Sequence, residues 1–297
     1  MTSRTAVRSV PATVAPDPAV GPGRTGTVRV DGADVAYLDS GTEVDGRPPM
    51  LLVHGTGGST ARHFGFLFPM LASAQRVVSV ELHTPDVDPA DLVAALARQV
   101  VAVAEDAVGD TPVTLVGYSL GAVVAATVAA GHPGTVGALA LLAGWWRTDA
   151  QQTLRNDTWH ALLGSPERLG RYQAFCAYSA PHLNQRTPAE LAAIVGDVAR
   201  DEATVRQMAA NRTVDLSGVA PRIGCPTLVV AGTDDVMTPR RQAKRLFGAI
   251  PDARYAEVTS GHAMVAERPA ELLHLLTEFH TDPRALPAGT VVPRPLP

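Results

Sequence analysis

Short, continuously apolar runs alternate with longer runs of helical periodicity along most of the chain. Short apolar runs rich in β-branched residues are typical of strands buried on both faces of a parallel sheet. Two shorter alternating runs, residues 27–30 and 35–38, flank Asp31-Gly32 and predict a β-hairpin. The runs that predict buried strands are residues 49–53, 76–82, 113–118, 136–142, 226–231 and 254–258.

Strands that alternate with helices predict an α/β fold with a mostly parallel, doubly wound central sheet. The predicted helices are residues 59–71, 89–108, 122–130, 239–250 and 269–279. Between residues 145 and 219 the alternation stops, and helical stretches such as 188–198 and 202–208 replace it. A long insertion of this kind is usually functional, so we expect a helical cap over the sheet.

This pattern divides the chain into a core, an insertion and two ends. We expect an α/β core from residues 26–144 and 220–280, interrupted by a helical cap at residues 145–219. The Pro-rich ends, residues 1–25 and 281–297, are expected to be poorly ordered.

Composition favours a globular enzyme and argues against several other classes. Of the 297 residues 46% are hydrophobic and 18% are charged, and the net charge is −4 with no basic block. We therefore expect a small-molecule substrate and neither nucleic acid nor membrane as a partner. No apolar run approaches the ~20 residues of a membrane span, and the first 25 residues lack the apolar segment of a signal peptide. The pattern leaves the oligomeric state open.

The cysteine and histidine spacings give no sign of a metal site. Cys176 and Cys225 have no metal-ligand neighbours at the usual spacings, and the histidines form no cluster. We therefore expect no metal, no cofactor, and a reducing, cytoplasmic compartment.

The segment Gly117-Tyr118-Ser119-Leu120-Gly121 joins a predicted strand to a predicted helix. It has the form G-x-S-x-G, in which small neighbours allow a sharp turn that exposes the central serine. Glycine and serine are also common in ordinary turns, so the motif needs partners elsewhere in the chain.

Candidate partners for Ser119 follow two later strands. Asp234 and Asp235 follow the strand at 226–231, and His262 follows the strand at 254–258. Reactive groups collect at the carboxyl ends of parallel strands. The order serine, aspartate, histidine predicts a nucleophile, an orienting acid and a general base, and this pattern leaves either aspartate as the acid.

These motifs resemble those of the α/β-hydrolase superfamily over residues 27–279, in its esterase, thioesterase and haloperoxidase-like branch with a helical cap. The resemblance is carried by His54-Gly55-Thr56-Gly57-Gly58, the serine motif, Gly232-x-x-Asp235 and Gly261-His262. It implies Asp235 as the acid, with Asp234 as the fallback. The backbone N–H groups of Thr56 and Leu120 are the candidate oxyanion donors. Many relatives have a glycine-rich stretch where this chain has residues 81–88 without glycine, so the resemblance implies no particular substrate.

Aromatic residues after residue 144 suggest an apolar substrate wall. Trp145, Trp146 and Met237 are the candidate wall residues, together with Gly55 and Tyr118 near the nucleophile. Two histidines directly follow predicted strands in the sequence. His54 is expected to be structural, and His83, at a strand end, is an open candidate for substrate contact.

The resulting hypothesis is a serine hydrolase that cleaves an ester, lactone or thioester of a small apolar molecule through an acyl-enzyme on Ser119. The alternative is a non-hydrolytic enzyme that uses the same residues for acyl transfer, cyclisation, C–C cleavage or a lyase step. A non-catalytic binding module is disfavoured, because binding alone needs no serine–histidine–acid relay.

Overall fold

The computed structural model describes residues 23–42, 44 and 46–293. Its centre is an eight-stranded sheet in the order β1-β2-β4-β3-β5-β6-β7-β8. The pairs β1–β2 and β2–β4 are antiparallel and the others are parallel, which confirms the predicted fold class. The strands are β1 (Arg24–Val30), β2 (Ala33–Asp39), β3 (Met50–Val53), β4 (Val77–Glu81), β5 (Val113–Tyr118), β6 (Val136–Leu142), β7 (Thr227–Gly232) and β8 (Ala253–Val258).

Helices cover both faces of this sheet, because successive strand residues point to opposite sides. In β3, Leu51 and Val53 pack on the side that holds α3, α4 and α10, while Met50 and Leu52 pack on the side of α1, α2 and α12. The helices are α1 (Thr60–Phe64), α2 (Leu67–Ala72), α3 (Leu92–Val108), α4 (Leu120–Gly131), α5 (Ala150–Ala161), α6 (Pro166–Ala177), α7 (Ala180–Asn184), α8 (Pro188–Gly196), α9 (Glu202–Ala210), α10 (Arg240–Ala249), α11 (Met264–Glu267) and α12 (Pro269–Thr281).

The predicted hairpin is present, and one predicted helix is divided. Asp31 and Gly32 both have positive φ, 49° and 84°, as the tight turn between two antiparallel strands requires. Ser59 caps α1 by accepting a hydrogen bond from Arg62 N at 3.2 Å. The chain leaves the helix after Phe64, so that α1 and α2 replace the single predicted helix.

The insertion between β6 and β7 is helical and contains α5 to α9. Its two ends lie side by side: Leu216 N donates to Trp146 O at 2.8 Å, and Thr148 N donates to Val214 O at 3.0 Å. Among the residues that the structure describes, no helix is long and apolar enough to cross a membrane.

The described part of the C-terminal end is bound along the sheet. Gly289 N donates to Ala253 O at 2.8 Å, and Val292 N donates to Tyr255 O at 2.7 Å. The expectation of a poorly ordered end was therefore wrong for residues 282–293, because the unpaired edge of β8 offers hydrogen-bonding groups to the passing chain. Residues 294–297 of this end, and residues 1–22 of the other, lie outside the described residues, and β1 already begins at Arg24.

Candidate active site

Ser119 occupies a sharp turn between β5 and α4. Its φ of 56° and ψ of −119° are rare for a residue with a side chain. A Cβ on Gly117 would lie 2.2 Å from Gly121 O, and a Cβ on Gly121 would lie 2.1 Å from Val53 O. Both glycines of the serine motif are therefore required sterically.

Three side chains from separate strand ends form one chain of hydrogen bonds. His262 Nε2 lies 2.9 Å from Ser119 Oγ, and His262 Nδ1 lies 2.8 Å from Asp235 Oδ2. Asp235 and His262 are buried, with exposed fractions of 5% and 6%. Asp234 is exposed and its carboxylate accepts a hydrogen bond from Thr233 Oγ1. Asp234, the alternative acid, therefore takes no part in this series of hydrogen bonds.

The Asp235 carboxylate is held by its own loop. Its Oδ1 accepts from Met237 N and Thr238 N, both at 2.8 Å, and its Oδ2 accepts from Thr238 Oγ1 at 2.8 Å. Thr238 Oγ1 also lies 3.2 Å from His262 Nδ1. Sequence reasoning missed Thr238, although an aspartate that binds the backbone two and three residues later is a common turn signal.

The candidate oxyanion donors lie on either side of the serine. Leu120 is the first residue of α4, where backbone N–H groups have no helical acceptor. Within the described residues, the N–H groups of Thr56 and Leu120 donate to no protein acceptor. Gly55 allows the Thr56 loop to approach, since a Cβ there would lie 2.9 Å from Ser119 Cβ.

Two histidines, the buried His54 and the half-buried His63, hold the same loop. His54 Nδ1 donates to Gly55 O at 2.9 Å, and its Nε2 accepts from Leu82 N at 3.1 Å. His63 Nδ1 accepts from Gly55 N at 3.1 Å. Burial lowers the pKa of His54 and lowers the pKa of His63 well below its usual value, so both stay neutral as this bonding requires. The ring nitrogens of His54 contact backbone groups, as a structural role requires. His63 was missed because nothing in the sequence links it to the loop.

Helix α9 of the insertion also holds the loop. Asn211 Nδ2, just after α9, donates to Thr56 Oγ1 at 3.0 Å, and Gly57 N donates to Gln207 Oε1 at 2.8 Å. The two residues of each pair are 155 and 150 positions apart in the sequence, respectively, so no local pattern could have indicated these contacts.

A cavity of about 180 Å³ opens beside Ser119, between the core and the insertion. Of the candidate wall residues, Tyr118, Trp145 and Met237 line it. The prediction for Trp146 was wrong: its side chain packs against the core cluster that contains α3 and α4. The prediction for Gly55 as a wall residue was also wrong, because Gly55 does not line the cavity.

Polar side chains line much of this cavity, so its wall is not the apolar one we expected. Helix α5 contributes Gln152, Arg155 and Asn156, and His83 is exposed and does not line the cavity. In the described part of the chain, no group of three or more His, Cys, Asp or Glu residues is placed to hold a metal ion. The main polar residues from the insertion are Gln152, Arg155, Asn156, Gln173, Asp197, Thr204 and Asn211.

Comparison with known proteins agrees with this geometry. A sequence profile described as the alpha/beta hydrolase family matches residues 50–275. The chain belongs to the alpha/beta hydrolase family. The resemblance seen in the sequence motifs is thereby confirmed, and the protein is an enzyme.

Two curated relatives carry the names of hydrolases. Pyrrolizixenacetamide deacetylase of Xenorhabdus hominickii is 32% identical over 262 residues, which cover 85% of this chain and 96% of that protein. A candidate carbamate hydrolase, RutD, of Klebsiella pneumoniae (strain 342) is 31% identical over 183 residues, which cover 59% of this chain and 68% of that protein.

A solved structure shows the same fold. The enol-lactonase from Burkholderia xenovorans LB400 superposes with a TM-score of 0.74 at 21% identity, covering 86% of this chain and all of that one. At this identity the likeness concerns the fold, and the chemistry of this chain must be argued from its own site.

Proposed function

We propose that the protein is a serine hydrolase that cleaves an acyl bond of a small substrate through an acyl-enzyme on Ser119. The observation that carries this proposal is the hydrogen-bonded chain from Asp235 through His262 to Ser119 at the edge of a cavity. A serine hydroxyl is a weak nucleophile until an adjacent base removes its proton.

The proposed reaction has two halves. In the first, Ser119 Oγ attacks the substrate carbonyl carbon while His262 Nε2 takes its proton and then passes it to the leaving group. In the second, water attacks the acyl-enzyme, again with His262 as base, and releases the acid and free Ser119. Asp235 keeps the proton of the neutral imidazole on Nδ1 and stabilises the imidazolium.

The negative charge on the carbonyl oxygen needs donors already in place. We assign this role to the backbone N–H groups of Thr56 and Leu120, which have no acceptor within the described protein. Removing one such donor typically costs about 2.7–4 kcal/mol of the barrier. The α4 N-terminus adds a favourable dipole at the same point.

The bond class is drawn from the relatives' names as well as from the site. One relative is named a deacetylase of an acetamide and another a carbamate hydrolase, and the structural neighbour is an enol-lactonase. We therefore extend the expected bonds from ester, lactone and thioester to amide and carbamate. The cavity of about 180 Å³ is smaller than the roughly 300–1,000 Å³ that holds drug-sized ligands, which favours a small substrate.

We also propose a domain organisation and a cellular compartment for the enzyme. We propose residues 145–219 as the cap of a core formed by residues 26–144 and 220–280. Cys176 and Cys225 are free thiols, which fits a cytoplasmic enzyme. The net charge of −4 supports a small-molecule substrate over nucleic acid.

A fluorophosphonate probe tests the nucleophile. We expect the wild type and the Ser217→Ala control, which changes an exposed serine, to gain the mass of one probe. The Ser119→Ala variant should gain none while keeping its circular dichroism spectrum. Labelling of folded Ser119→Ala at the wild-type rate would refute the proposal.

Isotopically labelled water tests whether the reaction is hydrolysis. With an activated ester in H₂¹⁸O, one labelled oxygen should enter each acid product, because water resolves the acyl-enzyme. Acid product without the label, or transfer of the acyl group to an added amine as the main outcome, would favour the non-hydrolytic alternative.

A further inference from the structure

One positively charged side chain in the cavity wall has no partner. The guanidinium of Arg155, on α5, makes no hydrogen bond or ion pair with any described residue. Its Nε and Nη1 atoms are closed to solvent. The other arginine in the wall, Arg62, is paired with Asp197 at 2.5 Å.

An arrangement of this kind is unfavourable in the free enzyme. Arginine stays protonated in proteins, and a buried charge without a counter-charge or hydrogen bonds loses its hydration without compensation. Burial accordingly lowers the pKa of Arg155, opposed by nearby groups that include Cys176 and Asp235. An anionic ligand in the cavity would supply what the side chain lacks.

Unpartnered acceptors lie in the same wall. Asn156 Oδ1, Gln173 Oε1 and Asn211 Oδ1 are buried and accept no hydrogen bond. The amide orientation is set in two of them, because Asn156 Nδ2 donates to Met208 O at 2.7 Å and Asn211 Nδ2 donates to Thr56 Oγ1 at 3.0 Å. These oxygens can bind only N–H or O–H groups.

We propose that Arg155 binds a carboxylate of the substrate, and that the buried amide oxygens bind an N–H or O–H group of the same molecule. This inference rests on the proposed function of Ser119 and names its substrate class: small acyl compounds that carry a carboxylate. It replaces the apolar substrate that the sequence suggested.

The charge of the wall favours a monoanion. Arg62 and Asp197 neutralise each other, so Arg155 contributes the uncompensated positive charge among the described charged residues of the wall. A single guanidinium matches a carboxylate in shape and charge. A phosphate monoester would bring about two negative charges at neutral pH, which one arginine would leave half compensated.

Matched esters test this assignment. The first pair carries the carboxylate on the acyl side: para-nitrophenyl hydrogen glutarate and its methyl ester. The second carries it on the leaving group: meta-acetoxybenzoate and its methyl ester. For at least one pair, the wild-type kcat/KM should be higher for the carboxylate than for its methyl ester. Arg155→Met should lower the ratio of these two kcat/KM values by about 30-fold or more. Arg155→Lys, which keeps the charge, should lower it less.

A control variant separates local from general charge effects. Arg168→Met removes an exposed charge from the same insertion and should leave the ratio unchanged. Arg155→Met should also raise the unfolding temperature of the free enzyme, because it removes a half-buried cation whose Nε and Nη1 are closed to solvent and unpartnered. A ratio unchanged by Arg155→Met, or an equal fall with Arg168→Met, would overturn the proposal.

Binding measurements test the Arg155 site independently of Ser119 as the nucleophile. Calorimetry on the Ser119→Ala protein should show tighter binding of the preferred carboxylate ester than of its methyl ester. The Ser119→Ala/Arg155→Met protein should lose that preference. If the double variant keeps it, or if Ser119→Ala shows none, Arg155 is not a carboxylate site even where the fluorophosphonate labels Ser119.

Discussion

The close approach of α4 to β3 at Gly121 can be tested with one methyl group. The Gly121→Ala variant would place a Cβ 2.1 Å from Val53 O and 2.6 Å from His54 O. Both are backbone atoms that no side-chain rotation can move away. The first contact is more than 1 Å shorter than ordinary van der Waals contact, which begins at 3.4 Å, so α4 must move away from the sheet by a similar distance.

Overpacking of this kind costs about 1–3 kcal/mol, and we expect the upper end because the contacts are with backbone. Gly131, at the other end of α4, has nothing within 4 Å of a Cβ. The Gly131→Ala variant shares the gain in helix propensity, up to about 1 kcal/mol, so it is the matched control. The difference between the two variants then measures the steric effect.

Urea denaturation followed by tryptophan fluorescence gives the free energy of unfolding of both variants. We expect Gly121→Ala to be less stable than Gly131→Ala by about 3 kcal/mol. Because α4 carries Ser119 at its start, a 1 Å displacement should also slow fluorophosphonate labelling by about 100-fold. Equal stabilities and equal labelling rates in the two variants would refute the steric argument.

Two further predictions concern a buried histidine and the loop support. Burial lowers the pKa of His280 from 6.5 to about 4, so its neutral form is favoured in the folded state. Stability should be complete above pH 6.5 and fall by up to about 3 kcal/mol as the pH drops towards 4. In urea denaturation, the free energy of unfolding should fall less steeply with decreasing pH for His280→Gln than for the wild type. The exposed His274→Gln variant should follow the wild type. Equal slopes for the wild type and both variants would contradict this prediction. Asn211→Leu removes the hydrogen bond to Thr56 Oγ1, worth about 1 kcal/mol, and should lower the labelling rate about fivefold. The surface control Asn184→Leu should keep the wild-type labelling rate. A wild-type rate for Asn211→Leu would show that the Thr56 loop keeps its position without this hydrogen bond.

The order of strands and helices was predictable because it depends on local patterns. A buried strand such as β7 requires consecutive apolar residues, and the turns at Asp31-Gly32 and Ser119 require particular residues at particular positions. The boundaries were less predictable. The helix expected from residue 59 to 71 divides after Phe64, where packing of two short helices against the sheet outweighs local preference.

Candidate site residues were predictable where they lie directly after strands. Ser119, Asp235 and His262 each follow a parallel strand, and parallel strands bring their carboxyl ends to one edge of the sheet. The same reasoning was wrong for Trp146, because successive residues after a strand point in different directions. Of the two tryptophans, Trp145 lines the cavity and Trp146 does not.

Helix α5 shows most clearly what the sequence could not indicate. Its apolar Leu154 is 67% exposed, whereas the adjacent Arg155 faces the cavity. The usual rule that apolar positions of a helix face inward therefore selects the wrong face.

The sequence by itself determined the fold class, the insertion and the residues of the Ser119–His262–Asp235 chain, because these depend on local periodicity and on motifs at strand ends. Only the tertiary structure decided how the cavity is lined. The contacts of Asn211 with Thr56 and of His63 with Gly55, like the unpartnered guanidinium of Arg155, depend on how the insertion packs over the sheet. That packing is a sum of long-range contacts, which no local stretch of sequence records.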